Sequence, residues 1–281
     1  PLPPKPTQLA IVSKIEELFS ELDKGIEQLK TAQQQLKTYR QAVLKWAFEG
    51  KLTAEWRSQQ INLVSGKELL SQIKVEKEKI AKLNNKKIKP LPEIGEDEFD
   101  ELFEIPKEWE WARNEEYLFE VKDGTHDTPK YLDDGIPFVT QKNIREDGLN
   151  FDDIQFISKA DHNKFYLRSN VSKGDILISM IGHNRGMTAI VDTERVFSIK
   201  NVGLFKFLPH LQFNKFSFYY YQSRVGLNIV LRKSKGGAQP FIGLTELRNW
   251  PVIVCSPEEQ TQIVQEIESR LSVSDKMEES I

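Results

Sequence analysis

The side chains best suited to chemistry lie in four short polar stretches, each near a glycine. Thr125, His126, Lys130 and Tyr131 form the first, and Gln141, Lys142, Asn143 and Arg145 the second. His183, Asn184 and Arg185 form the third; Lys233, Lys235 and Gln239 form the last. Arg matches the major-groove edge of guanine, and Gln or Asn that of adenine. Lys and backbone amides in the glycine-rich loop suit phosphates, which fix register. These types in loops point to DNA contacts, the alternative for each being a solvated loop residue. His126 and His183 lack the spaced partners of a metal site and read as loop side chains. Asp100 followed by Glu120-Val121-Lys122 imitates a metal-nuclease pattern, but Asp100 falls in an acidic stretch. The chain has no Asn-Pro-Pro-aromatic element, no glycine-rich nucleotide loop and no Gly-x-x-x-x-Gly-Lys-[Ser/Thr] run. The expectation is a binding protein, not an enzyme, with no cofactor or metal of its own.

Net charge is −3 over 281 residues, so the chain is not a uniformly basic nucleic-acid binder. Its distribution is uneven. Residues 200–250 hold eight basic side chains (Lys200, Lys206, Lys215, Arg224, Arg232, Lys233, Lys235, Arg248) against Glu246 alone. A local basic surface of that kind suits a polyanion, and a solvated lysine-rich face is the alternative. The lone Cys255 excludes an internal disulfide framework and a cysteine-based zinc site, which fits a reducing cytoplasm. No apolar run approaches a membrane span, and the opening Pro-Leu-Pro-Pro without Met reads as a fragment of a longer protein.

The elements that must position these loops begin with a long helix, Thr7 to Phe48. With a at Ile15, the a positions are Ile15, Leu22, Leu29, Leu36 and Val43. The d positions are Ile11, Leu18, Gly25, Ala32, Tyr39 and Trp46. A 3.5-residue apolar repeat is a coiled-coil seam, and a rod of about 63 Å cannot bury it alone. Gly50 is the expected cap. A second helix is predicted from about Lys67 to Leu83, then a proline- and acid-rich linker from Asn84 to Pro106. A strand-like period follows, with candidate strands Tyr117–Val121, Pro137–Thr140, Ile154–Ile157, Asp175–Ile181, Thr188–Val191, Val202–Phe207 and Val252–Val254. A helix is expected from Lys215 to Leu231, its aromatic run Phe216–Tyr221 serving as core. Gln8–Glu27 and Gln260–Glu279 match at a constant offset of 252, including Ile11/Ile263, Val12/Val264, Ile15/Ile267 and Glu16/Glu268. The chain thus ends by starting its first helix again, and that second copy is a natural partner for the seam. The predicted fold is α+β, a long coiled-coil-forming helix plus a mixed α/β globular domain. The predicted segments are 1–57 (long helix), 58–104 (second helix and linker), 105–255 (globular domain) and 256–281 (start of the repeated helix).

Several motifs in this order resemble the specificity subunit of type I restriction–modification systems. They are Phe48-Glu49-Gly50-Lys51-Leu52-Thr53-Ala54-Glu55-Trp56-Arg57, Ile105-Pro106-Lys107-Glu108-Trp109 and Asp123-Gly124-Thr125-His126-Asp127-Thr128-Pro129-Lys130-Tyr131. Lys173-Gly174-Asp175-Ile176-Leu177-Ile178-Ser179 and Ser256-Pro257-Glu258-Glu259-Gln260 complete the set. The resemblance covers nearly the whole chain. It implies a non-catalytic target recognition domain that reads one part of a split sequence in double-stranded DNA. It also implies that two long antiparallel helices set the separation between two such domains and carry the methyltransferase (M) and restriction (R) subunits. S-adenosylmethionine, ATP and Mg would then belong to those partners. Only one recognition domain is present here, so the chain is expected to be half of a larger subunit or a half-length form that homodimerises through the long helix. The competing expectation is a coiled-coil scaffold whose globular domain binds protein.

Overall fold

The computed structural model describes residues 2–85, 91–92, 94–95, 98, 102–232, 234 and 240–279. Lys233, Lys235, Gln239, Asp100 and much of the Asn84–Pro106 stretch lie outside the described residues. The chain forms two compact units: one takes the residues up to Val43 and those from Glu268 onward, the other Leu44–Ile267. No helix among the described residues is long and apolar enough to cross a membrane.

Helix α1 runs Lys5–Phe48, as its heptads predict. In the first unit its seam is largely open. Ile11, Ile15, Leu18, Leu22 and Leu29 are all exposed, Leu22 by 57%. Further along, Ala32, Leu36 and Tyr39 line a cleft of about 720 Å³ with Val273 and Met277 of the repeated helix. Arg40 there pairs with Asp275 and with Glu278, the latter at 3.0 Å. The repeated segment therefore does face the seam, over its later heptads only. The last d position departs from the pattern. Trp46 stays exposed, while Val43, Leu44, Ala47 and Phe48 are buried. There the helix enters the second unit, and Phe48 packs edge-on against Phe216 at 5.5 Å and Tyr220 at 5.3 Å. A globular core covers a wider face than a two-helix seam does.

Helices α2 (Ala54–Ser58) and α3 (Gly66–Leu83) follow. Ser65 opens α3 with a reciprocal capping box to Glu68, which settles its start. Next come β1 (Glu110–Arg113), α4 (Asn114–Tyr117), β2 (Glu120–Asp123) and β3 (Ile136–Val139). Then β4 (Ile144–Arg145), β5 (Gly148–Leu149), β6 (Gln155–Ile157) and α5 (Lys159–Ser169). The chain continues through β7 (Ile176–Ser179), β8 (Thr188–Ile190), β9 (Ser198–Ile199) and β10 (Val202–Lys206). It closes with α6 (Asn214–Gln222), α7 (Arg224–Arg232), α8 (Leu244–Arg248), β11 (Pro251–Val254) and α9 (Pro257–Glu279). An antiparallel sheet has the order β2-β10-β7-β8. A second sheet runs β6-β3-β9, with β3 and β9 parallel. β1 pairs with β11 across the domain's two ends. Leu177, Ala189, Phe197, Ile199, Val202 and Leu204 share one buried core beside Val139.

Two predicted elements differ, and one helix was not predicted. Residues 117–121 are not one strand, because Asn114 starts a helical turn. Its amide donates to the Leu247 carbonyl at 3.0 Å and accepts from the Tyr221 hydroxyl at 2.5 Å. The predicted helix 215–231 is two helices. Ser223 breaks it, its hydroxyl donating to the Tyr220 carbonyl and accepting from Gly226 N–H. Helix α5 was not expected, since it buries only His162, Phe165 and Ser169 and shows little apolar period. The cap Ser158, accepting from Asp161 N–H, was its available signal.

Two adjacent side chains tie α9 into the second unit. Glu259 is buried; Oε1 accepts from Thr53 Oγ1 at 2.7 Å and Arg57 Nε at 2.8 Å, and Oε2 from Trp109 Nε1 at 2.8 Å. Gln260 accepts from Phe213 N–H at 3.0 Å and Tyr117 Oη at 3.2 Å. Helix α3 is fastened by Lys77, whose ammonium donates to the Glu115 and Leu118 carbonyls. Burial lowers the Lys77 pKa to about 8, against the opposing pull of Glu115, Glu116 and Glu120. Below pH 8 this lysine is charged in both the folded and unfolded chain, and its desolvation costs stability. Between pH 8 and its ordinary 10.5 the folded chain releases a proton that the unfolded chain keeps, so its contribution rises with pH. Unfolding free energies of the wild type and Lys77→Met, measured from pH 7.5 to 10, should diverge upward for the wild type. Parallel pH profiles would contradict the assignment.

Candidate nucleic-acid interface

Three of the four polar stretches leave the ends of strands. Residues 124–131 follow β2, residues 140–145 follow β3, and residues 181–186 follow β7. Strand ends are rigid platforms, and the loops they carry are where binding side chains collect.

In the first loop the structure separates holding residues from presented ones. Thr125 is buried; its N–H donates to the Ile199 carbonyl at 3.0 Å and its hydroxyl accepts from Asp127 N–H at 3.1 Å. His126 is exposed but held at both ring nitrogens, Nδ1 against Asn201 Oδ1 at 2.7 Å and Nε2 against Asp123 Oδ2 at 3.1 Å. Asp123 is buried and also accepts from Arg168 Nη2 at 2.6 Å. Lys130 and Tyr131 are exposed, with the Tyr131 ring 6.3 Å from Phe138.

The second loop is a short 3-10 turn, Gln141–Asn143. Asn143 is buried and committed inside the domain. Its Oδ1 accepts from Thr140 N–H at 2.9 Å, and its Nδ2 donates to the Asn150 carbonyl at 3.2 Å. Of the expected base readers, Asn143 is thus turned inward. Lys142 and Arg145 are exposed. The Gln141 Oε1 is buried and has no hydrogen-bond partner among the described residues, a state that calls for a reason.

The third loop turns tightly on Gly182 (φ +74°), a backbone conformation that suits glycine. His183 and Asn184 project into solvent. Arg185 is half-buried, donating to the Gly182 carbonyl and the Ser234 hydroxyl, both at 3.3 Å. Gly182 N–H donates to the Pro240 carbonyl at 3.0 Å, and Ile181 bridges Phe241. The segments flanking the fourth stretch are thus fastened to the third loop, although Lys233, Lys235 and Gln239 themselves lie outside the described residues.

The loops are continuous in space. A side chain at Gly182 would come within van der Waals reach of the Gln141 amide, so the second and third loops lie side by side. Lys200 ties the first loop to the strand end that carries the second: its N–H donates to the Val139 carbonyl at 2.9 Å and its ammonium reaches Thr128. Lys200 is read from sequence only as part of a basic stretch, and Asn201 is not singled out. Their position on the β9–β10 turn, with Asn201 at φ +53°, is the signal that places them here.

Among the described residues, the basic side chains of 200–250 do not form one charged face. Strand β10 is buried along its whole length, so Lys206 points into the core and pairs with Asp175 at 2.6 Å. Burial raises the Asp175 pKa despite that lysine. Arg248 pairs with Glu115 at 3.1 Å. Neither is offered to a polyanion. The described residues contain no group of three or more His, Cys, Asp and Glu able to hold a metal. What the surface presents is exposed amide, imidazole, ammonium and guanidinium donors on rigid turns, with Tyr131 and Phe241 as exposed rings.

A family profile, the type I restriction modification DNA specificity domain, matches residues 106–278. The specificity subunit of the type I restriction enzyme EcoBI from Escherichia coli is 25% identical over 284 residues, covering all of this chain and 53% of its own length. That of StySPI from Salmonella potsdam is 39% identical over 80 residues, 27% of this chain and 17% of its own. The chain thus spans about half or less of the curated relatives it matches. Among solved structures, a chain from work on complex assembly and conformational transition of the type I R-M system superposes with a TM-score of 0.64 at 17% identity. That match covers 99% of this chain and 55% of the other. The HsdS subunit from Thermoanaerobacter tengcongensis gives 0.52 at 17% identity, covering 100% and 54%. These likenesses bear out the expected fold, a long helix with a mixed helix-and-sheet domain.

Holding and presenting residues should separate in stability. Asn143→Ala strands Thr140 N–H and the Asn150 carbonyl and should lower the unfolding free energy by about 1–3 kcal/mol. Lys142→Ala beside it should change stability by less than about 0.5 kcal/mol. Denaturant titration checks both, and equal effects would refute the division.

Proposed function

The chain belongs to the type I restriction modification DNA specificity domain family, and from that membership we propose that it reads one part of a split target in double-stranded DNA. The observation that carries the reading is the spatial continuity of the strand-end loops. Lys200 ties the first to the end of β3 that carries the second, and the Gln141 amide borders the space beside Gly182 in the third. All three loops fall inside the residues that the family profile matches. The candidate base readers are Gln141, Arg145, His183, Asn184 and Arg185. Lys130, Lys142 and Lys200 serve phosphates. Lys233, Lys235 and Gln239 would extend the same surface. Thr125 and Asn143 hold the loops, and His126 braces the first loop through Asp123 and Asn201.

On this reading the chain is non-catalytic. Methyl transfer and cleavage belong to the methyltransferase and restriction subunits, which would supply S-adenosylmethionine, ATP and Mg. The exposed seam from Ile11 to Leu29 supports a helical partner, since several aligned apolar side chains stand in water. A second copy of this chain or a further length of subunit would cover it. That seam also suits the scaffold reading, so the loops and not the helix separate the two.

Selection from a random duplex pool tests the proposal. The purified chain should recover a short preferred sequence, and affinity for it should fall steeply with salt as phosphate counterions are released. Arg185→Ala should reduce discrimination at one position by about 1–3 kcal/mol. Recovery of no preferred sequence at moderate salt would leave the scaffold reading in its place.

A further inference from the structure

Three of the motifs that mark this sequence meet at one side chain. Thr53 and Arg57 come from the stretch after α1, Trp109 from the opening of the globular domain, and Glu259 from the first turn of α9. Glu259 receives a hydrogen bond from each of the other three. We propose that Glu259 is a positioning residue: it clamps the end of α1 and the start of α9 to the domain, and so fixes how the reading loops are held relative to both helix ends. The inference rests on the DNA-reading function proposed above.

The geometry is specific. The donors come from two separate stretches of chain and occupy both carboxylate oxygens. The Arg57 guanidinium also lies 5.3 Å from the Trp109 ring centre and donates to the Gly50 carbonyl at 2.6 Å. Gly50 has φ +71°, and a Cβ there would strike the Pro106 ring and the Arg57 guanidinium. The cap of α1 is therefore pressed into the same joint. The next residue, Gln260, makes a second set of bonds to Phe213, Tyr117 and the Cys255 carbonyl. Together the two residues fasten one helical turn to the α1 terminus and to the sheet domain. A fully satisfied buried network holds its members in one arrangement, whereas apolar packing alone permits sliding.

The test uses the whole chain with spin labels at Lys45 and Asn163, both exposed and both in the second unit. Cys255 is buried and escapes labelling. The wild type should give one narrow distance distribution. Glu259→Gln removes the charge facing Arg57 and should widen it about twofold. Thr53→Val removes a single donor, keeps the side-chain shape and should widen it less, which covers the case in which Glu259→Gln fails to fold. Val121→Ala, a buried cavity variant in the same unit, is the control for general loosening and should leave the distribution narrow. Distributions as narrow as the wild type in the folded Glu259 and Thr53 variants would overturn the proposal. So would equal widening in Val121→Ala. A random duplex pool read with the same proteins separates the premise from the joint. Affinity should fall roughly tenfold as pre-organisation is lost, with the preferred bases unchanged. A wild type with no base preference would remove the DNA-reading premise, and the label distances would still decide the joint.

Discussion

A carboxylate buried without partners costs several kcal/mol, so a chain that keeps one inside must bring donors to it. Glu259 imposes that condition here. Its donors lie 150 to 206 residues away in sequence, and satisfying them closes the domain's beginning onto its end. The antiparallel pairing of β1 with β11 repeats the closure in the backbone, aligning Glu110 with Val254 and Arg113 with Pro251. Once the ends are joined, the two sheets between them have a fixed frame, and the loops on their strand ends inherit it.

The parts legible in sequence are those decided by local periodicity or capping. The heptads of α1, the cap at Gly50, the Ser65 start of α3 and most strand centres follow from neighbours within a few residues. The aromatic run Phe216–Tyr221 also reads correctly as core, with Phe216, Tyr220 and Tyr221 buried. What could not be read was decided by distant partners. Asn114 turns the chain because its amide donates to the Leu247 carbonyl and accepts from the Tyr221 hydroxyl. Lys206 leaves the basic surface because Asp175, thirty-one residues before it, draws it inside. Asn143 and Arg145 are near neighbours in one polar stretch, yet Asn143 is buried and Arg145 exposed. Only the fold distinguishes a residue that builds a loop from one that the loop presents.

That distinction gives the proposed function its physical form. A DNA reader needs side chains fixed well enough that a wrong base leaves a donor unpaired. Here each loop carries its own brace: Asp123 with His126, Asn143 with Thr140, and Gly182 with the Pro240 carbonyl. The proposed recognition asks for fixed donors more than for reactive ones.

The most direct measurement of this account is site-specific photocrosslinking of the purified chain to its preferred duplex. A benzophenone side chain is placed in turn at Lys142, Asn184 and Tyr131 on the loops, and at Gln72 and Thr261 elsewhere on the second unit. The account predicts crosslinks from the three loop positions to defined bases, lost when those base pairs are scrambled, and none from the other two. Crosslinks that map equally to all five positions, or to none of the loops, would contradict it.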